Sequence, residues 1–327
     1  MKPWTVVLTG ATGFIGSAVL RRLSTGRTAD GRPCSVRALT RRAEAVRAGG
    51  DAVEWIRADV TDPAALARVL QGADALVHAV SYVGRDPRRC ETVNLHITTR
   101  VMEAARAAGI SRIVHFSTAA VYGTGPHRGI DVDEVEPAPV SVASSTRLAA
   151  EAPALAAGAL VLRPNLVLGT GDRWVVPAFA ELTERVPPQW LGGSGLLSLV
   201  DVDDLARLAV AAAVAESPVR GVHHAAHPVP VSSGGLREAL SGYGLVAPAQ
   251  GEAGWAECVA LLARSRRRFG ERQLELFAVD HHYASERIWT CLDTDPGPGP
   301  LARLAGAASW YRTVVPASAH AAQPARR

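Results

Sequence analysis

The chain has 327 residues, 48% of them hydrophobic, with 35 basic against 31 acidic side chains and a formal charge of +4. That length can bury a large core, and the apolar content excludes an extended disordered chain. The basic residues, all arginine except Lys2, are spread along the sequence and form no block interleaved with aromatics, so no nucleic-acid partner is expected.

Thr5–Thr9, Ser35–Thr40, Ala75–Ala79, Arg112–Ser117 and Ala159–Leu162 read as strands. Ser17–Ser24, Pro63–Leu70, Thr92–Ala108 and Ser144–Ala157 read as the helices between them. Near-continuous Val/Ile/Leu strands alternating with amphipathic helices imply an α/β fold with a doubly wound, buried parallel sheet. After Gly169 the rhythm breaks at Pro187-Pro188, Gly192-Gly193 and Gly195, and residues 227–315 mix helices with isolated aromatics. The expected division is a nucleotide-binding domain over 1–169 and 196–226, a smaller C-terminal substrate lobe over 170–195 and 227–315, and a disordered tail over 316–327. Cys34, Cys90, Cys258 and Cys291 lack both Cys-x-x-Cys and zinc spacing and read as reduced thiols. The N-terminal apolar run is too interrupted for a signal peptide, and the longest apolar helix-like run, 205–215, carries Arg207 and is too short to span a bilayer. A cytoplasmic location, with no membrane partner, is expected.

The strongest site signal is the turn between the first strand and first helix, TVVLTGATGFIG. Gly10, Gly13 and Gly16 allow backbone N–H groups and a helix N-terminus to approach a pyrophosphate, with Thr12, Phe14 and Ile15 beside them. The second strand ends SVRALTRR. An acid there would grip adenosine ribose; instead Thr40 stands at that position, followed by Arg41 and Arg42, which suit a 2′-phosphate. NADP(H) is therefore expected over NAD(H).

With these residues the chain resembles the extended short-chain dehydrogenase/reductases, the epimerase/dehydratase family, over about residues 4–230. TGATGFIG matches the family's glycine motif, and Asp59-Val60 the pair at adenine. HAVSY, with Ala79, Val80 and Ser81, matches the fourth-strand passage along the cofactor. Asn94 matches the structural asparagine, STAAVYG the catalytic Ser/Thr strand with Thr118 at the hydroxyl, and LRPNLVLG, with Pro164 and Asn165, the segment beside the nicotinamide. The resemblance implies a Rossmann-type fold and these residues as cofactor contacts.

One departure is local. The family's Tyr-x-x-x-Lys pair occurs nowhere in the chain, because Lys2 is the only lysine. In the register set by Leu148-Ala149-Ala150-Glu151, Ala143 stands for the tyrosine and Arg147 for the lysine. Arg147 keeps a cation for ribose or phosphate; alanine carries no proton. Epimerases and dehydratases of this family begin by oxidising an alcohol and need a base, whereas reduction makes an alkoxide that a donor or water can protonate afterwards. A ketoreductase is therefore the expected activity.

Thr118 is a candidate hydrogen-bond donor to the carbonyl, and Ser144 and Ser145, flanking the vacated position, are candidates to order a water. Tyr122 and His127, the latter on a Gly/Pro-rich loop, are further acid candidates; His223, His224 and His227 are read as strand residues and no metal is expected. A phenol on the substrate itself, as in hydroxylated polyketide quinones, could also supply the proton. Trp174, Phe179, Trp190, Trp255, Phe277, Tyr283 and Trp289 are available for a large flat aromatic ligand, although most of them are expected in the core. Within the family the chain is most similar to an atypical ketoreductase type without the tyrosine, which implies NADPH, a hydrophobic aromatic polyketide substrate and a monomer or weak homo-oligomer. Two other readings stay open: a non-catalytic NADP-binding sensor, and a nucleotide-sugar epimerase with a displaced tyrosine.

Overall fold

The computed structural model describes residues 2–28, 31–40, 52–265 and 267–315. Seven strands, β1 (Trp4–Thr9), β2 (Cys34–Thr40), β3 (Val53–Arg57), β4 (Ala75–His78), β5 (Arg112–Phe116), β6 (Leu160–Arg163) and β7 (Gly221–His224), form one sheet. Its order is β7-β6-β5-β4-β1-β2-β3 and every pairing is parallel. Alternate side chains of one strand go to opposite faces. Val6 and Leu8 pack under α1 (Phe14–Leu23), while Val7 packs with Leu66 of α2 (Pro63–Leu70) and Val101 of α3 (Ile97–Ala107). Both faces are thus covered, which is why the strands read as continuous apolar runs.

The expected helix over 92–108 is a π-helical turn, Glu91–His96, running into α3, and the expected helix at 144 begins earlier as α4 (Val142–Ala156). β3 was not evident in the sequence. Its VEWIR run is only partly buried, as an edge strand's is, so it lacks the apolar signature of the central strands.

A four-stranded sheet joins Val231–Ser232, Leu196–Leu197, His281–Tyr283 and His127–Ile130 in that order. It draws on segments from both sides of the expected lobe boundary. His127 therefore lies on a strand rather than on the loop that the neighbouring glycine and proline suggested. A further apolar core gathers Phe179, Trp190, Leu236, Phe277, Leu304 and Tyr311. Of the seven aromatics offered for a ligand, Phe179, Trp190, Phe277, Tyr283 and Trp289 are buried, and Trp174 and Trp255 are half-buried. No helix among the described residues is long and apolar enough to cross a membrane.

Candidate active site

The sheet changes direction between β1 and β4, and in doubly wound folds ligands bind at the carboxyl ends of the strands at that point. The register brings Thr9 of β1 beside His78 of β4, and His78 beside His115 of β5. Just beyond these ends the glycine turn packs on the exit of β4. Gly10 has φ +77°, and a Cβ there would lie 2.6 Å from the Ala79 carbonyl carbon. Gly16 is tighter still: its Cβ would stand 2.0 Å from the Gly10 carbonyl oxygen. These contacts press α1 end-on against the turn.

No side chain caps α1 at Gly13, and its first turn holds no acid. The first N–H groups of a helix have no partner within it, so this end offers unpaired donors and the positive pole of the helix. Thr12 and Gly13 are exposed, Phe14 and Ile15 half-buried, and Gly16 buried. The turn therefore fits the pyrophosphate of a dinucleotide. Ala79 and Val80 are half-buried and Ser81 exposed along the exit of β4. Thr40 is buried at the end of β2, Val60 is buried, and Asp59 is exposed with its carboxylate accepting the Thr61 N–H at 2.9 Å. Arg41 and Arg42 lie outside the described residues, as does the expected tail over 316–327.

Across the crevice, Thr118 follows β5. Its hydroxyl oxygen accepts the Ala120 N–H at 3.1 Å and caps the short helical turn Ala119–Tyr122, which leaves its own proton free to donate among the described residues. Asn94 fixes the neighbouring loop by accepting the Tyr82 N–H at 2.7 Å and donating to the Tyr82 carbonyl at 2.9 Å. It also donates to Thr146 of α4 at 3.0 Å, which sets that helix against the loop. Asn165 donates to the His281 carbonyl at 3.1 Å, and the Pro164 carbonyl accepts the Ala119 N–H at 2.9 Å.

The two serines beside Ala143 are placed less favourably. Ser144 is buried and its hydroxyl closes a capping box with Ser141; Ser145 is exposed. Helix capping, a local demand of the sequence Ser-Val-Ala-Ser, thus occupies Ser144. Arg147 reaches the end of β5, where its Nη2 donates to the Ser117 carbonyl and, at 3.5 Å, to that of Phe116. Burial lowers its pKa to about 10, against the opposing pull of Glu151.

Beneath Thr118 lies a buried polar chain that the sequence did not reveal. The Ser117 hydroxyl donates to Glu151 of α4, and Arg163 of β6 grips both Glu151 oxygens at 2.9 and 2.6 Å. Arg163 also donates to the Tyr122 hydroxyl at 2.7 Å, and that hydroxyl is bonded to His224 Nε2 at 2.8 Å. Tyr122 is thereby tied into the fold, stacked on Tyr283 at 5.6 Å, and burial raises its pKa. A sequence signal existed: Arg163 interrupts a buried apolar strand, LVLR, where an unpaired charge would be costly. His127 packs on Tyr122, Tyr283 and His281. His223, His224 and His227 send their rings to separate partners, the Arg220 carbonyl, Tyr122 and the Val229 backbone. Among the described residues no group of three or more His, Cys, Asp or Glu side chains is placed to hold a metal ion.

Burial holds His78, His127 and His224 at a pKa of about 4, below the ordinary 6.5. The unfolded chain therefore binds more protons between pH 6.5 and 4, so stability falls as pH falls through that window. Asp201, the N-cap of the helix Val202–Val214, is raised to about 6 by burial and opposes this by one proton between its ordinary 3.8 and 6. Net loss of unfolding free energy on acidification should approach two protons, roughly 2–3 kcal/mol per pH unit at the steepest. Urea midpoints at pH 7, 6 and 5 would read it; a flat profile would mean that the three rings are not buried neutral.

The family model described as NAD dependent epimerase/dehydratase matches residues 6–224, from β1 to the end of β7. The chain belongs to the NAD dependent epimerase/dehydratase family. Its relatives in this family include a 2-alkyl-3-oxoalkanoate reductase of Stenotrophomonas maltophilia, 31% identical over 62% of this chain and 62% of that protein. A 4-hydroxy-2-methyl-3-oxo-4-farnesyl-3,4-dihydroquinoline-1-oxide ketoreductase of Stigmatella aurantiaca is 29% identical over 58% of each. The matched region thus spans less than two thirds of these relatives. Among solved structures, the UDP-glucuronic acid 4-epimerase of Bacillus cereus in complex with UDP-glucuronic acid and NAD aligns over 95% of this chain and 99% of that one. The TM-score is 0.72 at 18% identity, a likeness of fold.

Proposed function

We propose that this protein is an NADPH-dependent ketoreductase of an aromatic polyketide ketone of the angucyclinone kind, acting in antibiotic biosynthesis. The observation that carries the reading is the pairing of an open glycine turn with a donor hydroxyl at Thr118, in a chain that has no Tyr-x-x-x-Lys. In lacking the family's catalytic tyrosine the chain resembles the angucyclinone ketoreductase of simocyclinone biosynthesis. Several relatives in the family are reductases by name, including the two oxo-compound reductases above.

The turn at Gly10–Gly16 would hold the pyrophosphate, and Ala79–Ser81, Pro164 and Asn165 would line the rest of the cofactor's path. Thr40 in place of an acid, followed by Arg41 and Arg42, favours the 2′-phosphate. The chemistry that a nicotinamide held there would supply is a hydride for the carbonyl carbon. Thr118 hydrogen-bonds the carbonyl oxygen and stabilises the charge that develops on it. A hydroxyl is too weak an acid to finish the proton transfer, so the proton comes from a phenol adjacent to the ketone, or from water, and the phenolate recovers its proton from water. Ketone and NADPH are thereby converted to alcohol and NADP+ with one proton consumed. Exposed Val83, Val140 and Val142, at 69, 49 and 40%, offer apolar surface on the loop and helix start tied together through Asn94, in keeping with a hydrophobic substrate.

A bicyclic probe, 8-hydroxy-1-tetralone, tests the reading. NADPH oxidation should be at least about tenfold faster than with 8-methoxy-1-tetralone, and Thr118→Val should lower kcat/KM by about ten- to a hundredfold, the scale of one oxyanion donor or less. Equal rates for the two tetralones would sink the substrate proton, and an unchanged Thr118→Val would remove Thr118 from the mechanism. A nucleotide-sugar epimerase would instead interconvert UDP-glucose and UDP-galactose without net NADPH oxidation.

A further inference from the structure

Two side chains one turn apart on α4 converge on a single residue. Arg147 donates to the carbonyl of Ser117, and Glu151 accepts from its hydroxyl. Residues four apart share a helix face, so this is one surface of α4 laid against the end of β5. Ser117 is also held from the sheet side, where its N–H donates to the Leu162 carbonyl at 2.7 Å. The peptide carrying the Arg147 contact is the one that enters Thr118. Glu151 is itself fixed by both arms of Arg163, so the grip is braced from β6.

The other atoms of Arg147 speak against a different employment. Its Nη2 is committed to the chain, and its Nε is buried with no hydrogen-bond partner among the described residues, turned toward the interior. Among its three guanidinium nitrogens this leaves Nη1 for any ligand. Both carbonyls, those of Phe116 and Ser117, are reached by the one nitrogen Nη2.

We propose that Arg147 is a positioning residue: with Glu151 it clamps the Ser117–Thr118 peptide and so aims the Thr118 hydroxyl, and it does not hold the cofactor ribose. This rests on the reading of Thr118 as the carbonyl's donor. A chain without a catalytic phenol depends more heavily on the angle of its remaining donor, since misplacement by about 1 Å can cost roughly a hundredfold in rate.

The test is Arg147→Met, which keeps the stem and removes every donor, with Arg147→Lys as the conservative partner. In Arg147→Met without cofactor, hydrogen exchange over residues 117–122 should accelerate at least about tenfold while β1 and β4 stay protected; Arg147→Lys should recover part of that protection. NADPH affinity, read by fluorescence titration, should stay within about twofold, and kcat for 8-hydroxy-1-tetralone should fall at unchanged KM for NADPH. Unchanged exchange over 117–122 overturns the clamp, and an NADPH Kd raised about tenfold or more overturns it in favour of a ribose contact. If Arg147→Met does not fold, Arg147→Lys carries the same readings at reduced amplitude. Failure of the ketoreductase reading is separate: the unaltered protein would then bind NADPH without oxidising it on the tetralone, and the exchange measurement would still decide the clamp.

Discussion

Gly16→Ala is expected to weaken NADPH binding by about ten- to a hundredfold. The added Cβ would stand 2.0 Å from the Gly10 carbonyl oxygen, 2.7 Å from its carbonyl carbon and 3.2 Å from the Ala11 nitrogen. All three atoms are main chain, so no side-chain rotation can relieve the overlap. Either α1 must withdraw from the turn or the turn must open. Overpacking of this kind typically costs about 1–3 kcal/mol, and about 1.4 kcal/mol is a factor of ten in affinity. The loss falls on the cofactor because the displaced atoms are those that would face the pyrophosphate. Gly306, in the helix Pro300–Val314, is the matching control: nothing lies within 4 Å of its Cβ position, so Gly306→Ala should be neutral or stabilising. Fluorescence titration of both variants with NADPH checks the pair; wild-type affinity in Gly16→Ala would mean that the turn does not seat the cofactor.

The second large effect is on stability. Glu151→Ala should cost about 3–5 kcal/mol, because the Glu151 and Arg163 side chains are each only 5% exposed and removal of one leaves the other charge buried and unpaired. Ser117 loses its acceptor in the same stroke. On a fold stable by about 5–15 kcal/mol this is a large fraction. Replacing both partners, Glu151→Leu with Arg163→Leu, should cost less than the sum of the two single changes, since the uncompensated charge is gone. Urea unfolding of the wild type, the two single leucine variants and the double variant gives the cycle, and a cost under about 1 kcal/mol in Glu151→Ala, measured beside them, would refute a buried pair.

The parts of this protein that were legible in its sequence are those in which local chemistry and tertiary role coincide. β1, β2, β4, β5 and β6 were evident because a central parallel strand is apolar on both faces, and the glycine turn because only glycine tolerates the approach that Gly16 makes to Gly10. β3 escaped notice because an edge strand is half solvated. His127 was misplaced because glycine and proline beside it signal a turn locally, while its strand pairs with His281–Tyr283 more than 150 residues on.

The loss of the Tyr-x-x-x-Lys pair is a property of the sequence alone, since it needs only a count of lysines, and so is the conflict it makes with an intact glycine motif. What Arg147, Ser144 and Glu151 do instead was decided only by the folded chain. Ser144 turns to cap its own helix, Arg147 reaches the carbonyls that end β5, and Glu151 meets an arginine from β6. A sequence lists the donors and acceptors of a helix face, but which of them find partners depends on the strand ends that the sheet brings beneath that face. Burial then makes those partnerships binding, because a charge withdrawn from water must be paired where it lies.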